Sequence, residues 1–406
     1  MNLNFTALVF PLALLLMALE YWISQKTNKQ TYRFGSTISN LSVGIAERLL
    51  DMVLHGSFYF VFNYVYGHFA LFRIPNTWYV WVTLVFLTDF IWYWYHRVGH
   101  EVNLFWAFHI VHHQSEEYNF SVAARITNLQ SLVRNLFWCV LPLLGISPVM
   151  TSIVLIIHGT YSFFTHTQLV KKLGWLEHVF ITPSLHGVHH ASNPEYLDKN
   201  YGDIFVFWDK LFGTFRKEEG KPTFGLTTPL KSYSFLWQHF HYLAEVLYRV
   251  SLSKGCWEKV CVLVGKPNVM QGNEREILER KLFLKRKNKL RFSGNNYKKY
   301  VLAQTCSVFV VSFLLILFSE SLAALSLLLG IFFTILTLIN CGALLEQRRW
   351  IVLVEYLRLF VVFFAVAFYV DNGLCYVFFL TLSFCIVLSY SYIKENYLKL
   401  VFEGSC

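Results

Sequence analysis

The chain has 406 residues, more than half of them hydrophobic and 18% aromatic against 15% charged. Apolar runs of about eighteen residues or more recur along it, which excludes a purely soluble core and marks spans of a bilayer. The formal charge of +10 concentrates in loops between those runs, a mark of membrane topology rather than a nucleic-acid footprint. The eight cysteines are scattered with no CxxC pair, so they suggest neither a disulfide framework nor a thiolate metal site.

Residues 5–23 read as a first span ending on the interfacial aromatics Tyr21 and Trp22. No Lys or Arg precedes it and no small-residue cleavage pattern follows, which favours an uncleaved anchor. Residues 24–48 carry Lys26, Lys29, Arg33 and Arg48 against Glu47 and read as a cytoplasmic loop. A second span follows at 52–72, where His55 and His68 lack partners at ligand spacing. The third, 77–95, runs directly into HRVGH and leaves His96 and His100 at the membrane boundary. Asp89 lies two turns before His96, on nearly the same face. A carboxylate inside a span marks function by default; it reads as a partner that orients a histidine or a metal, or more simply as a helix-packing hydrogen bond.

Residues 101–132 are polar enough to lie outside the lipid and contain HIVHH. The apolar stretch 135–164 is broken by Pro142, Gly145 and Pro148, which predicts a hairpin that dips in and returns to its starting side. His166 and HGVHH at 186–190 then lie on the same side as the earlier histidines. Lys171, Lys172, Lys199, Lys210 and Arg216 mark that side as cytoplasmic. A mixed segment, 221–300, connects to four further apolar runs near 301–318, 321–341, 351–370 and 374–393. Its basic run 281–292 reads as a topology determinant touching anionic headgroups. The division expected is a membrane domain over 1–220, a cytoplasmic connecting segment over 221–300 and a four-span unit over 301–406 without histidine. The fold class is all-α, a polytopic membrane bundle.

The chemistry sits in the spacings HxxxH, HxxHH and HxxHH: His96, His100, His109, His112, His113, His186, His189 and His190. On a helix such positions share a face, so each cluster aims two or three imidazoles one way. Imidazole suits zinc, copper, iron and nickel. One catalytic zinc takes three protein ligands, and these histidines are too many for it. H-E-x-x-H is also absent, because Arg-Val-Gly separates His96 from His100. Two metals fit the count, with His166 delivered by the hairpin as a ninth ligand. His158 lies on the same face but deeper. His158, His178, His239 and His241 read as structural or surface residues. Carboxylates (Glu101, Glu116, Glu117, Asp203) stand beside the motifs rather than inside them. With redox-active iron such a centre could cleave O2 beside the bilayer, and a lipid C–H bond is the natural target.

These motifs resemble the three histidine boxes of the fatty acid hydroxylase superfamily of membrane di-iron enzymes. The stretch DFIWYWYHRVGHE, with WAFHIVHHQSEEYNFSVAAR and LGWLEHVFITPSLHGVHHASNPEYLDKNYGDIFVFWDKLFGTF, is most similar to the alkylglycerol monooxygenase family. The resemblance covers about 80–220. It implies the eight box histidines, with His166 added, as ligands of two iron ions. It also implies O2 as co-substrate, a membrane lipid as substrate, an external electron donor (tetrahydrobiopterin in that family) and hydroxylation at the ether-linked carbon of an alkylglycerol. Glu101 resembles the family's acidic residue and is assigned to orientation or proton delivery, against a solvated helix-end charge. Asn200, Tyr201 and Asp203 resemble the loop that braces the ligands, and Arg97 reads as a headgroup contact or a snorkelling cation. Leu185 departs from the family, which often has a histidine there. No Gly-rich nucleotide fingerprint is present. The membrane implied is the endoplasmic reticulum or a bacterial inner membrane, with the boxes facing the cytoplasm. Two readings compete: a desaturase or sterol oxidase with the same iron centre, and a histidine-rich metal transporter. A transporter would line midmembrane positions with His and Asp, whereas the boxes lie at span ends.

Overall fold

The computed structural model describes residues 3–403 apart from 271, 283–295, 349 and 371. Among these residues every regular element is helical, and isolated bridges join Phe180 with Phe205 and Ala191 with Phe224. Contacts divide the chain into two compact units. One holds Leu14–Lys231 and Gln238–Leu282; the other holds the described residues of Met1–Ala13, Ser232–Trp237 and Phe283–Cys406.

The first unit contains every box histidine. Helix α1 (Val9–Lys26) carries a buried carboxylate that the sequence reading passed over. Glu20 accepts from the Phe120 N–H at 2.7 Å and from the Tyr32 hydroxyl at 2.5 Å, and also from the Thr167 hydroxyl. Helix α2 runs from Phe34 to Phe69, 36 residues, so most of the expected 24–48 loop is helical. Its Ser- and Asn-rich start is buried: Asn40 donates to Ser121 at 2.9 Å, and Ser39 to Gln238 at 2.6 Å. These small polar side chains let a helix pack against a polar interior, which hydropathy alone reads as solvent exposure.

Helix α3 (Trp78–Glu101) continues unbroken through the first histidine box. Short helices follow: α4 (Asn103–His109), α5 (Phe120–Ala123), α6 (Asn128–Trp138) and α7 (Val140–Leu144), then α8 (Pro148–Thr165). Their starts are written in the sequence. Asn119, Thr127 and Ser147 cap α5, α6 and α8 by accepting from backbone N–H groups, and Pro148 opens α8, as N-cap and first-turn preferences require. The expected break is a tight turn at Gly145, φ +104°, where a Cβ would lie 2.1 Å from the Phe72 carbonyl oxygen. That close approach seats the 71–74 turn, through Leu71 N–H to Leu143 O (2.8 Å) and Ile74 N–H to Gly145 O (3.2 Å). Phe58, Phe62, Leu84, Ile91, Trp138, Leu141, Met150 and Val154 pack where α2, α3, α6, α7 and α8 meet.

The rest of this unit is α9 (Pro183–His189), α10 (Phe207–Leu211), most of α11 (Phe235–Leu252), α12 (Cys256–Val264) and α13 (Glu274–Leu282). Tyr242, Val246 and Val262, inside the segment read as a polar connection, join Val43, Ala107, Ile110 and Val111 in one apolar cluster. That cluster lies against the backbone that carries the second box.

The other unit contains α14 (Asn296–Leu317), α15 (Ala324–Leu345), α16 (Ile351–Val370), α17 (Gly373–Leu388) and α18 (Tyr390–Leu398). Inside it Glu355 accepts from Tyr300, Gln304 and Asn340 (2.6–3.0 Å) and pairs with Arg358 at 2.6 Å. These charges are matched within the bundle, as apolar surroundings demand.

Among the described residues five helices are long and apolar enough to cross a membrane: Phe5–Lys26, Pro148–Thr165, Asn296–Leu317, Ala324–Leu345 and Ile351–Val370. Gly373–Leu388 and Tyr390–Phe402 form a pair bent by 72°, so the expected final span breaks where the sequence turns polar after Leu388. Helices α2 and α3, read as spans, fall below that measure because charged residues and polar-edged aromatics dilute them. The protein is an integral membrane protein. Residues 283–292, most of the basic run expected to touch headgroups, and Asp371 lie outside the described residues.

Candidate metal centre

Five elements deliver the nine histidines. His96 and His100 occupy the last turns of α3. His109 ends α4, and His112 and His113 lie in the 3-10 turn that follows. His166 is the residue after α8, and α9 carries His186 and His189 with His190 as its C-cap. Thr182 caps α9 and Pro183 opens it. All nine side chains are buried.

They do not form three separate clusters. His96, His100, His109, His113 and His189 converge as one group and His112, His166, His186 and His190 as another, the ligating atoms of each lying within 4.8 Å of one another. Each HxxHH box is therefore shared between the groups, contrary to the expectation that a box aims its rings one way. The i,i+4 pairs His109/His113 and His186/His190 stay together while the i+3 member crosses over. In α9 the 3.6-residue turn accounts for it, since His190 lies about 40° from His186 whereas His189 swings about 60° the other way; in the second box α4 ends at His109 and a 3-10 turn carries His112 and His113.

The ring nitrogens show what the groups are built for. His96 Nδ1–H donates to the Tyr201 carbonyl at 2.9 Å, His166 Nδ1–H to the Ser162 carbonyl at 2.7 Å and His189 Nδ1–H to the Lys199 carbonyl at 2.9 Å. A neutral imidazole that donates from Nδ1 has a bare lone pair on Nε2. Yet His109 Nε2 lies 3.1 Å from Nε2 of both His96 and His113. His166 Nε2 lies 3.1–3.2 Å from Nε2 of His112, His186 and His190. The buried Nε2 atoms of His100 and His189 have no hydrogen-bond partner. Lone pairs facing one another repel unless a cation lies between them. Two nitrogens each about 2.1 Å from one ion are about 3 Å apart, which is the spacing seen. The donor set fits one metal ion in each group.

Burial, and secondarily the neighbouring rings, push His109, His112, His113, His186, His189 and His190 well below the ordinary value of 6.5. Burial holds His166 down to about 4. The unfolded chain therefore binds protons near pH 6.5 that the folded chain refuses, so this contribution to stability is full above that pH and lost as pH falls through it. Metal-depleted protein should show a melting temperature that falls steadily between about pH 7.5 and 5.5, and loaded protein should release metal over the same window as protons compete for the lone pairs. A flat profile would contradict buried neutral imidazoles.

Around the rings lies a supporting set. Asp89 accepts from Ile204 N–H (2.8 Å), Phe205 N–H (3.3 Å) and the Trp208 indole (2.9 Å). It thereby fastens α3 to the loop that presents the Tyr201 carbonyl to His96. Asp203 pairs with His158 at 2.7 Å, and burial pushes its carboxyl above the usual range. Asn200 sits at φ +54°, a left-handed position asparagine tolerates. It donates to the Leu185 and Arg216 carbonyls at 2.9 and 2.7 Å and accepts from Arg216 N–H at 2.8 Å. Gly202 is needed there because a Cβ would lie 2.5 Å from the Phe205 carbonyl oxygen. Leu185 is buried with Ile181 and Val206.

Glu101 pairs with Arg97 at 2.8 Å and Lys266 at 3.4 Å. Arg97 also donates to the Tyr93 hydroxyl at 3.1 Å. His178 is exposed, and His239 and His241 are buried apart from both groups. His158 belongs instead to a third buried cluster, with Asp89 and Asp203.

Sequence reasoning missed Arg125. It is buried and donates to the Val111 carbonyl, immediately before His112, at 2.8 Å, and to Asn40 (2.9 Å), Gln114 (2.7 Å) and Gln238 (3.1 Å). Burial pushes it down to about 9. The signal was available: an arginine at the end of a run otherwise apolar and small. Tyr118 was missed too; it packs on the rings of His166 and His190 at 5.6 and 5.2 Å.

Comparison with known proteins follows the same lines. The fatty acid hydroxylase family model matches residues 81–214, which hold all nine histidines. Alkylglycerol monooxygenase of Homo sapiens is 32% identical over 359 residues, 86% of this chain and 79% of that protein. Its counterpart in Danio rerio is 35% identical over 60% of this chain and 56% of that protein, and the one in Xenopus tropicalis 35% over 54% and 49%. No solved structure matches the chain. The similarity to the human protein runs well beyond the histidine boxes, and by it the chain belongs to the alkylglycerol monooxygenase family of the fatty acid hydroxylases.

Proposed function

We propose that this membrane monooxygenase hydroxylates the ether-linked carbon of alkylglycerols, so that the hemiacetal formed collapses to a fatty aldehyde and a glycerol derivative. The observation that carries the reading is the pairing of five- and four-imidazole groups, buried side by side and lacking carboxylate ligands. Nitrogen-only ligation leaves two divalent ions strongly electrophilic. Iron in both groups, with electrons from a tetrahydropterin, supplies O2 activation when bound.

The chain's own residues do the rest. His96, His100, His109, His113 and His189 hold one ion, and His112, His166, His186 and His190 the other. The carbonyls of Tyr201, Ser162 and Lys199 keep three of these rings in the Nδ1–H tautomer, so that Nε2 is free to ligate. Asp89, Asn200 and Asp203 are positioning residues, since they fasten the 200–205 loop to α3, to the Leu185 and Arg216 backbone and to His158 of α8, in that order. Glu101, tied to Arg97 and Lys266, closes the helix end below the first group. The histidine side of the membrane faces the cytoplasm, toward which the loop lysines point by the positive-inside rule. The membrane is the endoplasmic reticulum in a eukaryote and the inner membrane in a bacterium. The histidine domain (1–220), its connecting segment (221–300) and the C-terminal spans (301–406) divide the labour, with the metal ligands confined to the first.

Detergent-purified protein given an alkylglycerol, O2 and tetrahydrobiopterin should release fatty aldehyde in proportion to donor oxidised. A panel containing sterols and free fatty acids separates the reading from its relatives. Sterol hydroxylation, or a new double bond with no aldehyde, would overturn the alkylglycerol assignment.

A further inference from the structure

Beside the four-histidine group a cleft of about 700 Å³ opens to solvent. Its floor is Gly187, which leaves the α9 backbone uncovered, and the rings of Tyr118 and Phe224, stacked 4.8 Å apart with planes 13° from parallel. Lys171, Glu218 and Lys221 stand among its lining. Tyr118 is buried, and its ring lies 5.2 Å from that of His190 and 5.6 Å from that of His166. No histidine lines the cleft. A molecule seated on Phe224 is two stacked aromatic rings, Phe224 and Tyr118, away from the histidine rings and touches none of them.

That separation discriminates between the reagents of a monooxygenase. The carbon to be hydroxylated must meet the centre directly, whereas electrons can cross a ring in van der Waals contact. The reaction also needs a donor. One oxygen atom enters the substrate C–H bond, and the other leaves as water with two electrons and two protons, which must come from a donor molecule because the sequence carries no Gly-rich nucleotide fingerprint. The volume lies within the roughly 300–1,000 Å³ of small-molecule sites, which is too confined for a protein partner. An aromatic floor suits a planar ring, and a rim carrying both charge signs suits a heterocycle with donors and acceptors along its edge. An alkyl chain would lie here against charges and water.

We infer that this cleft seats the two-electron donor, a small planar reduced heterocycle, which stacks against Phe224 and delivers its electrons through Tyr118 to the four-histidine group. The donor gives up two electrons and two protons and departs as the oxidised heterocycle. The inference rests on the monooxygenase reading above.

The test uses full-length protein in detergent, without O2, with tetrahydrobiopterin as probe and equilibrium dialysis as readout. Phe224→Ala should raise the dissociation constant about tenfold, the loss of one stacking contact, and Lys171→Trp at the exposed rim should raise it by filling the cleft mouth, while metal content and the KM for alkylglycerol stay at wild-type values. Phe224→Tyr should restore binding. Equal binding by all variants, or none by the wild type, would overturn the assignment. So would a shift in alkylglycerol KM with donor binding unchanged, because the cleft would then hold the substrate headgroup. If the donor binds as expected yet no aldehyde forms from any alkylglycerol, the cleft assignment stands and the substrate reading fails.

Discussion

His166→Ala is expected to remove one of two metal ions and to leave the other in place. His166 Nε2 faces the other three rings of its group at 3.1–3.2 Å, so its loss leaves three ligands around an ion that had four. His189→Ala should act on the other group, where four ligands remain. The two variants therefore differ in an informative way: metal content falls from about two toward about one per chain in His166→Ala, and less steeply in His189→Ala, whose site keeps enough nitrogens for a four-coordinate ion. Aldehyde formation should fall by more than ~100-fold in both, exceeding the 10–100-fold typical of residues that only support ligands. Metal analysis and single-turnover assays on the same preparations check this. Simultaneous loss of both ions from both variants would show one cooperative cluster rather than two sites.

Arg125→Ala is expected to destabilise the first unit rather than to alter its chemistry directly. The guanidinium fills a buried space with the carbonyl of Val111 and the side-chain oxygens of Asn40, Gln114 and Gln238 as its acceptors. Removing it orphans those acceptors, and each unsatisfied buried group costs about 1–3 kcal/mol. Some rearrange, so a net loss of about 3 kcal/mol or more is expected. Arg125→Lys should recover only part of it, because an ammonium cannot match the planar fork. Because Val111 precedes His112, the surviving fraction should also hold metal more weakly. Denaturant midpoints and metal affinity measured together decide the matter; a variant as stable as wild type would show that these contacts carry no load.

What could be read from the sequence, and what could not, follows from how local each signal is. Spacing within five residues picked out the eight box histidines, and the proline–glycine break before α8 brought in His166. The structure gathers those same nine side chains. Their division into five and four could not be read in full, because it depends on α4 ending at His109 and on α3, α4, α8 and α9 coming together from distant parts of the chain. Arg125 stands out as an arginine ending an apolar, small run, but its partners Asn40 and Gln238, like the His166 and His190 rings beside Tyr118, lie tens of positions away, which no periodicity records. The 24–48 segment misled because hydropathy reads Ser, Thr and Asn as exposed, whereas here they pack against a polar interior. Glu101 drew attention by following the first box directly, whereas its pairs with Arg97 and Lys266 depend on where Lys266 is brought in the fold.

The most direct test of the two-ion centre is Mössbauer spectroscopy of protein grown on enriched iron, with metal content measured on the same sample. The five- and four-nitrogen groups predict two irons per chain in two distinct signals of equal area. A single signal from one iron, or one zinc per chain with no iron, would contradict the account.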